Sequence, residues 1–266
     1  MSSLAYAFAD GVTIAKRNLI KTKRLPDVLV WTTMSPIMFV LLFAYVFGGS
    51  IDIPGTNYRE FLIAGIFAQN IIFGASFTGV GLADDMTKGV IDRFRSLPMA
   101  RSAVLVGRTV SDIVNNAIAL TVMSITGLIV GWRIRTSVLE ALGGFLLLLL
   151  FAYAISWIMA FVGLKVRSVE VVNNASFMFI FPMTFIANTF VPSQNLPSVL
   201  RTFAEWNPVS ALAQAAREAF GNAVPYTSTS SAWSLNHPVL YVLLWVVLIL
   251  AIFVPASVRL YTKRKT

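Results

Sequence analysis

The chain has 266 residues, a formal net charge of +9, 57% hydrophobic residues, only 12% charged ones and no cysteine. A mean hydropathy of +0.75 leaves too little polar surface to clothe a water-soluble globule, and the missing thiols exclude disulfides, cysteine nucleophiles and cysteine-held metals. Stretches without any charge occur at 28–51, 61–83, 113–132, 141–164, 171–200 and 219–258. Each is long enough for a helix to cross about 30 Å of hydrocarbon, and too continuously apolar for the alternation of an outer-membrane barrel. The composition therefore predicts an all-α polytopic membrane protein in which each span satisfies its own backbone.

In chain order, Ser2–Lys23 lacks the apolar core and cleavage site of a signal peptide. Leu4, Phe8, Val12, Ala15 and Leu19 recur instead at helical spacing. That pattern predicts an amphipathic helix over 1–25, lying in the inner headgroup region with its basic end near anionic lipid. Spans follow at about 28–48 and 61–83. Between the second and third spans lies a loop, 84–108, that begins DDMTKGVIDRFRSLPMAR, in which seven of eighteen residues are charged. A helix over Lys88–Leu97 would align Val90, Phe94 and Leu97 on one stripe. Lys88, Asp92 and Arg95 would fall on another, with a Lys88–Asp92 contact at i,i+4. Pro98 would end it. So short a helix is unstable alone, so its stripe needs a partner: the chain's own membrane domain or a separate cytoplasmic subunit. The pattern does not choose between them.

Further spans are predicted at 110–131, 140–163, 171–190 and 238–258. Gly127 and Gly131 form a GxxxG pair, read here as helix packing. The segment 192–222 is too long for a simple turn. Pro197–Glu205 suits one short helix, and Asn207 can cap a second that has Pro208 at its first position. Val209, Leu212, Ala213, Ala216 and Phe220 would form its buried face, and Gly221 would stop it. The expectation is a helical hairpin dipping into or lying on the outer leaflet.

Six spans put both termini on one side. That side carries sixteen Lys and Arg against five (Arg59, Arg133, Arg135, Arg201 and Arg217) on the other, which predicts cytoplasmic termini. The basic residues are spread over four membrane-flanking segments, which fits attraction to anionic lipid better than nucleic-acid binding.

Catalytic machinery is not legible. No G-x-x-x-x-G-K-[ST] loop occurs, so ATP chemistry is not expected in this chain. His237 reads as an interfacial residue at the outer mouth of the last span, and Asp112 as a local partner of Arg108. No cluster of His, Asp and Glu suggests a metal site or a membrane transferase. Uncharged polar residues within the spans, including Asn70, Ser76, Asn115, Asn116, Asn174 and Asn188, are expected mostly to hydrogen-bond between helices, with a minority lining a substrate path.

The run KGVIDRFRSLPMARSAVLVGR resembles the cytoplasmic signature of type-2 ABC export permeases, most closely the daunorubicin/doxorubicin-resistance permease group. FPMTFIANTFVPSQNLPSVLRTFAEWNPVSALAQAAREAF (181–220) is similar to that group's fifth span and outer hairpin, and WTTMSPIMFVLLFAYVFGG (31–49) to its first span. The resemblance covers nearly the whole chain as a single transmembrane domain, 1–266. It implies an inner-membrane permease that exports a hydrophobic or amphiphilic compound, either an anthracycline-like drug or a lipid-like molecule. It also implies a homodimer, or a heterodimer with a related permease, served by a separate ATPase subunit that holds ATP and magnesium. Lys88, Gly89, Val90, Asp92, Arg93, Phe94, Arg95, Leu97 and Pro98 would then form the ATPase-coupling contact, and Trp206, Asn207 and Pro208 the outer gate. A lipid- or glycan-exporting permease of the same superfamily is the alternative.

Overall fold

A computed structural model describes residues 3–23, 26–47, 57–96, 102–166, 168–223 and 232–263, and among them every regular element is helical. The amphipathic helix α1 (Ser3–Lys23) leads into α2 (Pro26–Leu42), which loosens into a π turn at Phe43–Phe47. Helix α3 (Tyr58–Thr87) precedes the short α4 (Val90–Arg95), followed by α5 (Ala103–Val130), α6 (Val138–Lys165) and α7 (Val169–Phe185). A 3-10 turn at Ser193–Asn195 opens the helical hairpin of α8 (Ser198–Trp206) and α9 (Pro208–Phe220), and α10 (Trp233–Asn236) leads to α11 (Pro238–Lys263).

Four of these, α3, α5, α6 and α11, are long and apolar enough to cross a membrane. The first and fifth predicted spans correspond to α2 with its π extension and to α7, each α-helical over 17 residues.

Helix α3 is the axis of the bundle, packing against α5, α6, α7 and α9. It meets α6 almost backbone to backbone. A Cβ added at Gly163 would lie 2.4 Å from the Gly79 carbonyl oxygen, and one at Gly79 would lie 2.6 Å from that of Met159. Without a hydrophobic drive between membrane helices, such close approach is what holds them. The GxxxG pair divides: Gly127 is buried against Ile63 of α3, as expected of a packing residue, whereas Gly131, at φ +107°, is the C-cap of α5. The closest contact between two glycines, Gly79 with Gly163, joins two different chain segments.

Three further expectations shift. Helix α1 lies along α5, but the side chains it turns inward are Gly11, Ile14, Ala15 and Asn18, whereas Val12 is half exposed. The inward face is rotated from the predicted stripe because the closest backbone approach to α5 is at Gly11 and Ile14. The side chains of Leu4 and Phe8 lie outside the described residues. Helix α7 stops at Phe185 rather than near 190. Its last turn contains Pro182, and Thr189 Oγ1 donates to the Thr184 carbonyl at 2.7 Å, turning the chain inward. Finally, most hydroxyls within spans bond back along their own helix, as Thr121 to Ala117, Ser124 to Leu120 and Ser156 to Ala152 do. Among the described residues, Thr78 to Asp112 is one of the side-chain bonds that do cross between helices.

Candidate coupling surface and outer gate

The turn between α3 and α4 is built on one glycine. Lys88 caps α3, and Gly89 adopts φ +66°, ψ 11°, a left-handed conformation that glycine alone enters without steric cost. The turn excludes Lys88 from α4, so the predicted Lys88–Asp92 contact does not form. The Lys88 ammonium bonds Asp84 instead, at 2.8 Å. That hydrogen bond, with the Asp84 charge, pushes the lysine above its ordinary pKa.

From this start α4 presents Ile91 inward. Ile91 is 3% exposed, in a core with Leu82, Leu105, Trp157, Leu164 and Tyr261. Val90 and Phe94 are half-buried at its flanks, and the Arg17 guanidinium of α1 stands 4.8 Å above the Phe94 ring. Asp92 and Arg93 face outward. The deepest anchor is therefore Ile91, with Phe94 of the predicted stripe packed against the same core, and both are seated in the chain's own bundle. Arg95 closes α4; its side chain, together with Leu97 and Pro98, lies outside the described residues.

Above the turn a buried polar lock joins α3 to α5. Asp112 Oδ2 accepts from Thr78 Oγ1 at 2.5 Å and from Arg108 Nε at 3.3 Å, while Arg108 Nη2 donates to the Phe77 carbonyl at 2.9 Å. The local Arg108–Asp112 pair is as expected; its attachment to α3 through Thr78 is not visible from spacing.

At the opposite end of the bundle from α4, Asn207 Oδ1 accepts from Val209 N–H at 2.9 Å, Pro208 takes the first position of α9, and Gly221 ends it at φ +73°. The Asn207 amide also donates to the Met183 carbonyl at 2.7 Å, tying the hairpin to α7. Helix α9 is enclosed by α3, α6 and α11, whereas α8 turns Val199, Phe203 and Trp206 outward. Trp206 accepts a hydrogen bond from Tyr241 at its carbonyl, and with Trp233, His237 and Trp245 forms an aromatic group of the kind found at membrane–water boundaries.

Arg217, counted in the sequence as an outer-face cation, is completely buried. Its Nε donates to the Phe61 carbonyl at 3.0 Å, and its Nη2 to the carbonyls of Asn188 at 2.7 Å and Thr189 at 3.2 Å. The guanidinium carbon lies 3.6 Å from the Phe61 ring centroid. A weaker signal was present: Arg217 stands four residues after Ala213, just beyond the edge of the apolar sector of α9.

The polar residues proposed for a path are not gathered together. Asn116 is buried with its Oδ1 against the backbone of Gly74, Ser76 bonds its own helix at Phe73, and Asn188 is enclosed under α9. Asn70 and Asn115 are half-buried, Asn174 is exposed, and no hydrogen bond joins any two of the six. One arrangement that sequence reasoning missed is an aromatic ladder. Phe73, Phe177, Phe181, Phe185, Phe190, Phe43 and Phe39 follow one another at centroid spacings of 5.7, 5.4, 4.1, 5.1, 4.5 and 5.4 Å. It bridges α7 to α2, and Phe177, Phe181 and Phe185 are exposed along it. The i,i+4 spacing of the α7 rings was legible; the crossing to α2 was not.

The sequence model of the ABC-2 type transporters matches residues 11–220, from α1 through the end of α9. The chain belongs to the ABC-2 transporter family. It is 30% identical over 260 residues to the daunorubicin resistance ABC transporter permease protein DrrB1 of Streptomyces coeruleorubidus, covering 98% of this chain and 88% of that protein. It is 22% identical over 201 residues to the probable doxorubicin resistance ABC transporter permease protein DrrC of Mycobacterium tuberculosis H37Rv, covering 74% and 72%. With its apolar helices, this makes the chain a multi-pass membrane protein. Both the α3–α4 turn and the α8–α9 hairpin fall within the region matched by the ABC-2 family model.

Proposed function

We propose that this ABC-2 chain is the permease subunit of an ATP-driven drug exporter in the bacterial cytoplasmic membrane, with six crossings and cytoplasmic termini. The observation that carries the proposal is α4: a helix anchored inward by Ile91 that turns Asp92 and Arg93 outward, on a chain without a phosphate-binding loop. Such a helix is a handle for a second protein. ATP and magnesium belong to that partner, two copies of which serve a permease dimer. The names of the relatives indicate anthracycline drugs as cargo. The aromatic ladder supports planar aromatic cargo, since offset ring contacts each contribute about 0.5–1.5 kcal/mol and can be exchanged stepwise.

Coupling runs along α3. Its cytoplasmic end carries the α4 turn, and its outer end supplies the Phe61 carbonyl to Arg217. A push on α4 that tilts α3 thus reaches the outer hairpin. Transport follows if cargo binds the inward- and outward-open arrangements with different affinity.

The test co-expresses the chain with an ATPase partner and measures ATP-dependent uptake of a fluorescent anthracycline into inverted vesicles. Asp92→Arg with Arg93→Glu should leave insertion intact and abolish both co-purification and uptake. Normal uptake by the double variant would overturn the coupling assignment. Wild-type transport of a lipid or glycan but of no anthracycline would overturn the cargo assignment in favour of the alternative.

A further inference from the structure

Beside the backbone contact of α1 with α5 there is an apolar groove of about 440 Å³. Val12, Ala15, Leu19 and Ile20 line it from α1, and Val106 and Val110 from α5, with Lys16 at the rim. The two helices cannot slide together to close it. A Cβ at Gly107 would stand 2.6 Å from Ile14 Cβ and 2.7 Å from the Gly11 carbonyl oxygen, so the crossing already sits at its contact limit. Val110 also starts an exposed stripe that continues through Val114, Ile118 and Ile125 toward the far end of α5.

We infer that this groove binds an anionic phospholipid of the cytoplasmic leaflet, with an acyl chain between α1 and α5 and the phosphate at Lys16. The inference rests on the orientation proposed above, with α1 at the cytoplasmic face. Hydrocarbon is the only chemistry that the groove walls recognise, and the α5 stripe extends that surface for the rest of the tail. The charge at the rim selects the headgroup. Residues 11–24 contain Lys16, Arg17, Lys21, Lys23 and Arg24 and no carboxylate, and no carboxylate among the described residues pairs with the exposed Lys16. Basic pockets between helices on the cytoplasmic side are where anionic headgroups settle. A second copy of the chain, meeting this face by two-fold symmetry, would bring the same cations together.

The site has a route to the coupling helix. Arg17, the neighbour of Lys16, stacks on Phe94 of α4. The lipid and α4 therefore hold adjacent faces of one helix, and occupancy of the groove fixes the position of α1 from which Arg17 reaches α4.

The test is native mass spectrometry of the purified full chain, released from micelles containing equal amounts of phosphatidylglycerol and phosphatidylethanolamine. Wild type should retain phosphatidylglycerol in preference. Lys16→Gln, at an exposed position that does not support the fold, should lower that retention roughly fivefold, the effect of one basic residue near an anionic surface, and leave phosphatidylethanolamine unchanged. Val110→Trp, which fills the groove from its open side, should remove both adducts. Glycerol phosphate, a headgroup without tails, should not compete. Equal retention of the two lipids by wild type, or unchanged adducts in both variants, overturns the inference. So does displacement by glycerol phosphate, which would mark a simple anion site. So does a species of twice the chain mass that Val110→Trp dissolves, which would make this face a contact between copies. Because the readout is binding to the isolated chain, its failure leaves the transport reading standing, and a failure of export leaves the lipid site standing.

Discussion

Arg217 gives the sharpest test of how the α8–α9 hairpin is held. In Arg217→Met the side chain keeps its length and its apolar stem, but every donor is lost. The carbonyls of Asn188 and Thr189, in a fully buried turn, lose the donor that reaches them. Each of these two buried acceptors, stripped of its partner, costs about 1–3 kcal/mol. The stacking on Phe61 contributes on the order of 2 kcal/mol where it is desolvated. Against these stands the relief of no longer burying a guanidinium, which is several kcal/mol in the other direction. The balance is a loss of roughly 2–4 kcal/mol. For a chain of this size that lowers the thermal midpoint of the detergent-solubilised protein by roughly 5–15 °C.

Arg217→Lys separates charge from geometry. An ammonium keeps the charge but lacks the planar fork that reaches Phe61 on one side and the 188–189 turn on the other. It should therefore lose about as much as methionine. Glu218→Gln, one residue on and turned outward, should stay within about 0.5 kcal/mol. If both Arg217 variants keep the wild-type midpoint, the guanidinium does not hold the turn and the reasoning is refuted.

Gly163→Leu should cost about 3 kcal/mol, because its side chain must displace the α3 backbone at Gly79; a wild-type unfolding midpoint would mean that the crossing is looser than described. Thr78→Val should cost about 1–3 kcal/mol by removing a donor from buried Asp112, whereas Ser76→Ala, which loses only a bond within its own helix, should change stability by less than about 0.5 kcal/mol. Ile91→Ala should cost about 2–4 kcal/mol locally, read as faster amide exchange across 90–95 with unchanged exchange in α6.

Much of the frame was legible because the bilayer admits few solutions. Uncharged runs of at least twenty residues mark helices whatever their partners, and Asn207, Pro208 and Gly221 mark the ends of α9 through requirements that are local to the backbone. Phase and burial were harder. Six residues of α4 cover fewer than two turns, so apolar residues at 90, 91, 94 and 97 fit more than one inward face. The left-handed Gly89 chose Ile91 by setting where the helix starts. Arg217 was misread because positive charge is a reliable marker of sidedness only when it reaches water, and this guanidinium finds carbonyls instead. The aromatic ladder spans α7, the 186–190 turn and α2, and no periodicity within one segment predicts a contact between 43 and 190.

The three tightly fixed points of α3 decide what a push on α4 can do. The Thr78–Asp112–Arg108 lock holds it to α5 and the Gly79–Gly163 contact holds it to α6, both in the half of the helix nearer α4. The Phe61–Arg217 bond holds it to α9 near its other end. Thirty residues of helix are about 45 Å long, so a tilt about the paired contacts near 78–79 has its long arm toward Phe61. On the proposed function, a small displacement at the α3–α4 turn is therefore magnified where the hairpin is attached. The same lever explains why a charge is buried at the far end. An apolar contact between α3 and the hairpin could slip as α3 swings, whereas a guanidinium bonded to α3 on one side and to the 188–189 turn on the other holds them together, and the turn is joined through Pro182 and Phe185 to the aromatic ladder.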